Sequence, residues 1–212
     1  MDERFKIVPQ EVRVKEIFAE NKAYLENDHF VYTKGDHGSQ YINKDAIFTN
    51  PSAISELSRF LARSFQGLNI ETVAGPVIGG VIVSQRVAEH LSEMDNKKVV
   101  SVFAEKTGKG LEFLRGYNEH IEGKNVLAVE DILNTGGSAK DLIDAIRLVG
   151  GNVIGLGALA NRGGVKPNMV GDVNIKSLLD ITMERYAANE CHLCKEGVPI
   201  NLKVGHGRKF EK

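Results

Sequence analysis

One stretch, residues 125–138, constrains the fold of this chain more than any other part of the sequence. It begins with the apolar run 126–129, which is typical of a parallel strand that is buried on both faces. Two adjacent acids, Glu130 and Asp131, end this run, and a loop of small residues then leads into a helical pattern. The apolar positions of that pattern are Leu142, Ile143, Ile146 and Leu148. The stretch therefore predicts a buried strand that delivers two carboxylates to its carboxyl end, followed at once by a helix.

The loop after the two acids has the composition of an anion-binding site. The first turn of a helix has unpaired N–H groups and a partial positive charge. Gly136 and Gly137 allow the backbone to approach a phosphate closely, and the hydroxyls of Thr135 and Ser138 can donate further hydrogen bonds. The acids suit the two hydroxyls of a ribose, so the stretch predicts a ribose 5′-phosphate site. The alternative is an ordinary strand–turn–helix in which Ser138 caps the helix and the acids are solvated.

Two other loops follow strands in an alternating strand–helix pattern that predicts an α/β sheet. One ends in Gly79 and Gly80 immediately before a helix, so it is a second candidate anion site. The other, at 105–110, carries Lys106 and Lys109 on a flexible, glycine-rich segment. Loops at the carboxyl ends of parallel strands meet in one crevice. A ligand with a phosphate at one end and a diphosphate at the other would suit them, and phosphoribosyl pyrophosphate (PRPP) has that shape.

The two ends of the chain predict smaller elements around this sheet. Residues 11–25 have the spacing of an amphipathic helix, and 29–33 with 40–42 predict a hairpin around a turn of Gly and Asp. A second helix is expected over 51–65, and an edge strand over 177–181.

Glycines at 155 and 157 match the loose dinucleotide-binding fingerprint and would favour an oxidoreductase. They lie inside an apolar strand pattern, however, and no helical pattern follows them. Gly155 and Gly157 are therefore interpreted as positions of close packing. The sequence also has no P-loop motif, which argues against a P-loop NTPase.

Charge and hydropathy exclude several partners. The formal net charge is −1, so the chain has no basic footprint for nucleic acid or for an anionic membrane. No apolar run approaches the length of a membrane span, and the first residues lack the apolar core of a signal peptide. A cytoplasmic protein without nucleic-acid or membrane partners is therefore expected.

The cysteines of the chain are Cys191 and Cys194. They could be half of a zinc site, with His192 or His206 as further ligands, or a redox pair. A second ligand pair is not evident in the sequence, and no thioredoxin-like context surrounds them. Two reduced structural thiols are the favoured interpretation.

The acid pair and the loop after it closely resemble the PRPP motif of the type I phosphoribosyltransferases, and matches along most of the chain are similar to the orotate phosphoribosyltransferases of that group. The resemblance implies an α/β fold with a central, mainly parallel sheet flanked by helices. It implies one domain over 1–212, with a small hood formed by about 1–45, including the early hairpin, and by the C-terminal tail.

The same resemblance implies an activity. The enzyme would transfer the 5-phosphoribosyl group from PRPP to orotate, giving orotidine 5′-monophosphate and diphosphate in de novo UMP synthesis. A homodimer is implied. Mg²⁺ would be bound mainly through the diphosphate of PRPP, and no metal ion would be held by the protein itself.

Site residues also follow from the resemblance. The catalytic residues would be Asp131, Lys106 and Lys109. Orotate would be bound by Lys34, Tyr41, Asn134 and Arg162. PRPP would be bound by Gly79, Gly80, Lys106, Arg115, Glu130, Asp131, Asn134, Thr135, Gly136, Gly137 and Ser138.

Two departures from the family pattern leave alternatives open. Asn134 stands where a threonine is more common, close to the place of the base, so base preference stays open. Glu105 stands where a basic residue is often found, and Arg115 is expected to supply the missing charge. The alternatives are a phosphoribosyltransferase that acts on a purine or another base, and a regulatory homologue that senses PRPP.

Overall fold

The computed structural model describes residues 9–209. Residues 1–8, on which the expectation of no signal peptide rests, and residues 210–212 lie outside this range. The chain divides into two compact units. The large unit is Ser52–Ile181, and the small unit combines Met1–Pro51 with Thr182–Lys212. The hood of about 1–45 with the C-terminal tail, and the single domain that includes it, remain predictions.

The helices and strands have the following bounds. The helices are α1 (Gln10–Glu20), α2 (Lys44–Phe48), α3 (Pro51–Arg63), α4 (Gly79–Asp95), α5 (Gly137–Leu148) and α6 (His192–Lys195). The strands are β1 (Tyr24–Leu25), β2 (Phe30–Val31), β3 (His37–Gly38), β4 (Tyr41–Ile42), β5 (Thr72–Pro76), β6 (Val100–Thr107), β7 (Gly110–Glu112), β8 (Asn125–Leu133), β9 (Asn152–Asn161) and β10 (Ile175–Asp180).

A six-stranded sheet forms the centre of the large unit, in the order β10-β9-β8-β5-β6-β7. Its neighbouring strands are parallel except for the antiparallel pair β6 and β7. The apolar run 126–129 lies in β8 between β9 and β5, and its side chains are fully buried. The predicted α/β fold with a mainly parallel sheet is confirmed, and β10 is the predicted edge strand.

Helix α5 packs one apolar face into the core next to β8. Leu142, Ile143 and Ile146 are fully buried, as the helical spacing predicts. Leu148, the last residue of the helix, is part of the predicted pattern but is 87% exposed. The reason is geometric, because Leu148 lies about 200° around the helix from Ile146.

The glycines of β9 provide room for α3 and the turn that follows it. A Cβ atom at Gly155 would lie 2.7 Å from a ring carbon of Phe65, and one at Gly157 would lie 3.2 Å from Leu61. Close packing, and not cofactor binding, explains these glycines, as predicted.

The small unit contains α1, the short strands β1 to β4, and α2, which the sequence analysis did not predict. Helix α1 ends at Glu20, and not near residue 25 as predicted, because Asn21 caps it and Lys22 has a left-handed φ of 51°. The early hairpin pairs β2 with β3, whereas the predicted second strand, 40–42, overlaps β4 and pairs with β1. The predicted pairing of 29–33 with 40–42 was therefore wrong.

The end of the chain adds backbone hydrogen bonds to this hairpin. His37 and Tyr186 exchange two of them, at 2.8 and 2.9 Å. The N–H of Asn201 donates to the carbonyl oxygen of His29 at 2.7 Å, and that of His206 to Val31 at 2.9 Å. The small unit is thus built from both ends of the sequence.

Within residues 9–209, the structure contains no helix with both the length and the apolar character needed to cross a membrane.

Candidate active site

The two acids lie inside strand β8, which continues past the predicted end at residue 129 to Leu133. Pairing with β9 extends to Leu133, whereas pairing with β5 ends at Ala128. Glu130 and Asp131 therefore lie past the last residue of β8 that pairs with β5. They are nevertheless only 8% and 3% exposed. The carboxylate of Glu130 accepts the N–H of Asp131 at 3.1 Å, and that of Asp131 accepts the N–H of Ile132 at 2.6 Å.

The loop after β8 forms a pocket of about 170 Å³ at the start of α5. The helix N-cap is Gly136, with a left-handed φ of 82°, and the N–H of Lys140 donates to its carbonyl oxygen at 2.8 Å. Thr135 and Ser138 are exposed, and Ser138 lies in the first turn instead of at the cap. The pocket is lined by Glu130, Ile132, Leu133, Asn134, Thr135, Gly136, Gly137, Ser138 and Ala139.

The second predicted anion loop comes into contact with the acid pair. Gly79 and Gly80 begin the first turn of α4, two residues earlier than predicted, after β5 ends at Pro76. A Cβ atom at Gly79 would lie 1.6 Å from Oδ2 of Asp131, and one at Gly80 would lie 2.4 Å from Pro76. Only glycine fits at these positions, and the N-terminus of α4 thereby lies directly against Asp131.

The third predicted loop, 105–110, forms a β-hairpin instead of an irregular segment. Lys106 lies on β6, which pairs with β7 in an antiparallel hairpin with Lys106 opposite Leu111. Lys106 and Lys109 are both exposed, and Lys109 lies in the turn. Antiparallel pairing and a hydrogen bond from Thr107 to Glu112 at 2.5 Å stabilise this hairpin.

Arg115 follows this hairpin and pairs with Glu105. Its guanidinium donates to both carboxylate oxygens, at 2.8 and 3.3 Å. The hydrogen bond from Arg115 to Glu105, together with the charge of the carboxylate, raises the pKa of Arg115 above its usual value. Arg115 was expected to bind PRPP, but in this structure its guanidinium pairs with Glu105.

Arg162 follows β9 and lies beside the end of β8. Its N–H donates to the carbonyl oxygen of Leu133 at 3.0 Å. A Cβ atom at the next residue, Gly163, would lie 1.4 Å from the carbonyl oxygen of Asn134. Two of the predicted base-binding residues, Asn134 and Arg162, are therefore brought onto adjacent turns.

Lys34 and Tyr41, the other two predicted base-binding residues, belong to the small unit. Lys34 is exposed in the loop between β2 and β3. Tyr41 stacks on Phe30, with ring centroids 5.4 Å apart. The contacts described above bring together the acid pair, the pocket loop, the first turn of α4 and the backbone of Arg162.

A second cluster of chemically active side chains was missed by the sequence analysis. His29, His37, Cys191 and Cys194 place one potential ligand atom each within 4.8 Å of the others. The interpretation of two plain thiols assumed that a second ligand pair was missing, and that assumption was wrong. The suggested ligands His192 and His206 lie outside the cluster: His192 packs on Tyr186, and His206 contacts Thr33. The signal in the sequence was a pair of histidines, one just before the early hairpin and one on its second strand.

Two members of this cluster have shifted pKa values. Burial, and then the neighbouring His29, lower the pKa of His37. Desolvation, and then a hydrogen bond with Cys191, raise the pKa of the Cys194 thiol.

With this geometry established, comparison with known proteins identifies the family. A model of the phosphoribosyl transferase domain matches residues 43–182. The chain belongs to this phosphoribosyltransferase family. The match spans the sheet of the large unit, including the pocket loop and the acid pair.

Relatives of this phosphoribosyltransferase extend the similarity to nearly the whole chain. It is 38% identical over 197 residues to a protein of Thermoanaerobacter sp. (strain X514) named orotate phosphoribosyltransferase, covering 93% of this chain and 97% of the relative. It is 34% identical to a protein of the same name from Thermotoga maritima, covering 92% and 100%.

Solved structures agree on the fold. The crystal structure of orotate phosphoribosyltransferase from Mycobacterium tuberculosis H37Rv with inorganic phosphate gives a TM-score of 0.66 at 18% identity, over 82% of this chain and 97% of that one. An adenine phosphoribosyltransferase from Thermoanaerobacter pseudethanolicus gives 0.60 at 19% identity, over 79% and 99%. Because enzymes named for different bases share the fold, the fold by itself does not specify the base.

Proposed function

We propose that this enzyme is an orotate phosphoribosyltransferase, which transfers the 5-phosphoribosyl group of PRPP to orotate. The observation that carries the proposal is the pocket in which the carboxylate of Glu130 adjoins the small-residue loop at the start of α5. Relatives named for this reaction, at 38% and 34% identity over nearly the whole chain, support orotate as the base.

The pocket loop would hold the 5′-phosphate. The N–H groups in the first turn of α5 have no hydrogen-bond partner within the helix. They lie at the positive end of the helix dipole, which is the end beside the pocket. The exposed hydroxyls of Thr135 and Ser138 add donors. A volume of about 170 Å³ is several times the roughly 30 Å³ that one water occupies, which is sufficient for a phosphate group.

The acid pair would accept hydrogen bonds from the two ribose hydroxyls. Glu130 lines the pocket, and Asp131 lies against the N-terminus of α4, so the pair lies between the two anion sites. The 5′-phosphate and the diphosphate occupy opposite ends of PRPP. A ribose between them would lie beside the acids.

The diphosphate would bind at Gly79 and Gly80, the first turn of α4, with Lys106 as a further cationic contact. Mg²⁺ is proposed as the cofactor. Its ligands would be mainly oxygens of the diphosphate and of water, which Mg²⁺ prefers, while Glu130 and Asp131 would bind the ribose hydroxyls. When bound, the ion would neutralise charge on the departing diphosphate.

In the reaction, a ring nitrogen of orotate forms a bond to the anomeric carbon and gives up its proton, while the bond from that carbon to the diphosphate oxygen breaks. Positive charge develops on the sugar ring, as in glycoside hydrolysis, and the carboxylates of Glu130 and Asp131 stabilise it. Lys106 and Lys109 balance negative charge on the leaving group. The hairpin that carries them would also cover the site and exclude water.

Orotate itself would be recognised through its carboxylate. A guanidinium binds a carboxylate in a two-pronged geometry, which makes Arg162 the principal contact. Asn134, on the adjacent turn, offers an amide that can both donate to and accept from the ring. Lys34 and Tyr41 are proposed as the contribution of the small unit.

We further propose that the enzyme is a cytoplasmic homodimer that acts in de novo UMP synthesis. Light scattering on the pure protein tests the dimer, which is expected to have twice the mass of the chain.

A substrate panel tests the proposed function. The pure protein is incubated with PRPP, Mg²⁺ and one base at a time, among orotate, uracil, adenine, guanine and hypoxanthine, and the absorbance of the base is followed. Turnover is expected with orotate and requires Mg²⁺. Turnover with a purine alone would make the protein a related enzyme. PRPP binding with no turnover on any base would favour the regulatory homologue.

A further inference from the structure

We propose that His29, His37, Cys191 and Cys194 bind one Zn²⁺ ion, a structural site that ties the early hairpin to the C-terminal part of the small unit. His29 immediately precedes β2, and His37 lies on β3. Cys191 and Cys194 flank the start of α6, more than 150 residues later in the sequence.

Three distances between ligand atoms of the cluster match a tetrahedral site. Zn²⁺ bonds of about 2.0–2.1 Å to nitrogen and about 2.3 Å to sulfur place tetrahedral N and S ligands about 3.5 Å apart. Cys191 Sγ lies 3.6 Å, and Cys194 Sγ lies 3.8 Å, from Nε2 of His29. Cys194 Sγ lies 3.3 Å from Nδ1 of His37. The two histidine nitrogens are 2.8 Å apart and need to separate by about 0.5 Å.

The tautomer of His29 favours metal binding. Its Nδ1 lies 2.7 Å from the carbonyl oxygen of Val198, which can only accept, so Nδ1 carries the proton and Nε2 carries a lone pair. This carbonyl contact is the support that zinc-binding histidines usually have on their second nitrogen.

Three groups converge on that one lone pair. His37 Nδ1, Cys191 Sγ and Cys194 Sγ all lie within 3.8 Å of Nε2 of His29. A single lone pair satisfies one hydrogen-bond donor. A cation at the centre satisfies all four groups at once, because each then directs its own lone pair at the metal.

The backbone holds the ligands in place on both sides. His37 is fixed by its two hydrogen bonds to Tyr186, and the carbonyl oxygen of Cys191 accepts the N–H of Lys195 at 3.3 Å. His29 and Cys191 are 1% and 0% exposed, whereas Cys194 is exposed and provides an entry path for the ion.

The donor set selects the metal and the role. Two thiolates and two imidazoles in a tetrahedral arrangement suit Zn²⁺. Binding releases the two thiol protons to solvent and changes no oxidation state. Four protein ligands complete the coordination sphere and leave no position for substrate, which makes the site structural.

The first test uses the intact wild-type chain. It is purified without chelator, and its metal content is measured by mass spectrometry. About one zinc per chain is expected. Replacement by Co²⁺ should give the thiolate-to-cobalt charge-transfer absorption and the visible bands of a tetrahedral site. Substoichiometric zinc, a cobalt spectrum without the thiolate band, or a Cys191–Cys194 disulfide in the freshly purified protein would each overturn the proposal.

Matched histidine variants locate the ligands. His37→Asn is expected to lower the zinc content at least about tenfold and to lower the thermal midpoint by about 5 °C. His192→Asn changes the same residue type beside Cys191 but outside the cluster, so zinc content should stay near one per chain. Equal zinc content in the two variants would contradict the assignment, and Cys194→Ser provides a second ligand variant if His37→Asn does not fold.

One consequence rests on the proposed function. The ligands His29 and His37 flank the loop that carries Lys34, so zinc removal is expected to raise the KM for orotate several-fold more than the KM for PRPP. If the enzyme does not use orotate, this consequence fails, while the zinc content and the cobalt spectrum still decide the metal site.

Discussion

The pocket of the large unit and the His/Cys cluster of the small unit are built in opposite ways. The pocket comes from one continuous stretch, 130–139, and relies on backbone N–H groups and on glycines. The cluster relies on four side chains from two segments at opposite ends of the chain. A site made of contiguous residues carries its signature in the local sequence. A site made of distant residues becomes visible only when the fold brings them together.

The largest expected effect tests whether the pocket depends on its two acids as well as on its backbone. Asp131→Asn should lower kcat/KM for PRPP by about 100- to 1,000-fold, because a carboxylate that stabilises developing charge is lost. The amide oxygen can still accept the N–H of Ile132, so the thermal midpoint should change by less than about 3 °C. Initial rates at varied PRPP and thermal denaturation measure both. Asp144→Asn, an exposed residue of α5 paired with Lys140, is the matched control. Unchanged kinetics in Asp131→Asn would exclude the proposed role in ribose binding.

The second prediction tests the dependence on glycine. In Gly79→Ala the added methyl would lie 1.6 Å from Oδ2 of Asp131, so the loop or the acid must move. We expect a loss of about 100-fold in kcat/KM for PRPP and a destabilisation of about 1–3 kcal/mol. Chemical denaturation and initial rates measure these quantities.

The control for this prediction is Gly108→Ala. A Cβ atom at Gly108 meets nothing within 4 Å, so stability should not change. If the two variants were equally stable, the close approach of α4 to Asp131 would not constrain the site.

The third prediction compares one residue from each unit. Arg162→Ala should raise the KM for orotate by about 10- to 100-fold, since a charged hydrogen bond contributes about 1.5–3 kcal/mol. Lys34→Ala should raise it by about fivefold, because an exposed ammonium contributes less. The KM for PRPP should change little in both. Arg162→Lys keeps the charge but loses the planar fork, and should recover only part of the affinity. Equal losses for orotate and PRPP would show that Arg162 does not act on the base.

The smallest effect is expected at the ion pair beside the β6–β7 hairpin. Glu105→Gln removes the carboxylate partner of the exposed Arg115. Exposed ion pairs contribute little to stability, so the thermal midpoint should move by no more than about 2 °C. The released guanidinium should lower the KM for PRPP by about twofold at low salt. Glu89→Gln, which removes an exposed ion pair with Arg86 on α4, should leave that KM unchanged. A higher KM in Glu105→Gln would show that the pair itself supports binding.

Much of the large unit could be predicted because its patterns are local. The run 126–129 is apolar on both faces, which indicates a buried strand. The acids and glycines that follow it occur together in few strand–turn–helix units, so they indicate a specific site. The sequence did not show that β8 continues to Leu133, because that extension depends on pairing with β9. Nor did it show that 105–110 is a hairpin, which depends on tertiary pairing of β6 with β7.

The small unit was predicted less well, for the same reason. Strands of two residues have too little periodicity to define their partners, so β3 and β4 were confused. His29 and His37 contact cysteines that lie more than 150 residues later in the sequence. Spacing along the chain carries no information about such a contact.

The division of the small unit between the two ends of the chain has a consequence for synthesis on the ribosome. Ser52–Ile181 emerges as one uninterrupted segment and can fold while translation continues. The early hairpin must wait for residues after Thr182 before it gains its partners. A chain truncated before Thr182 would still contain the sheet, but its early hairpin would lack these partners and be exposed to proteases.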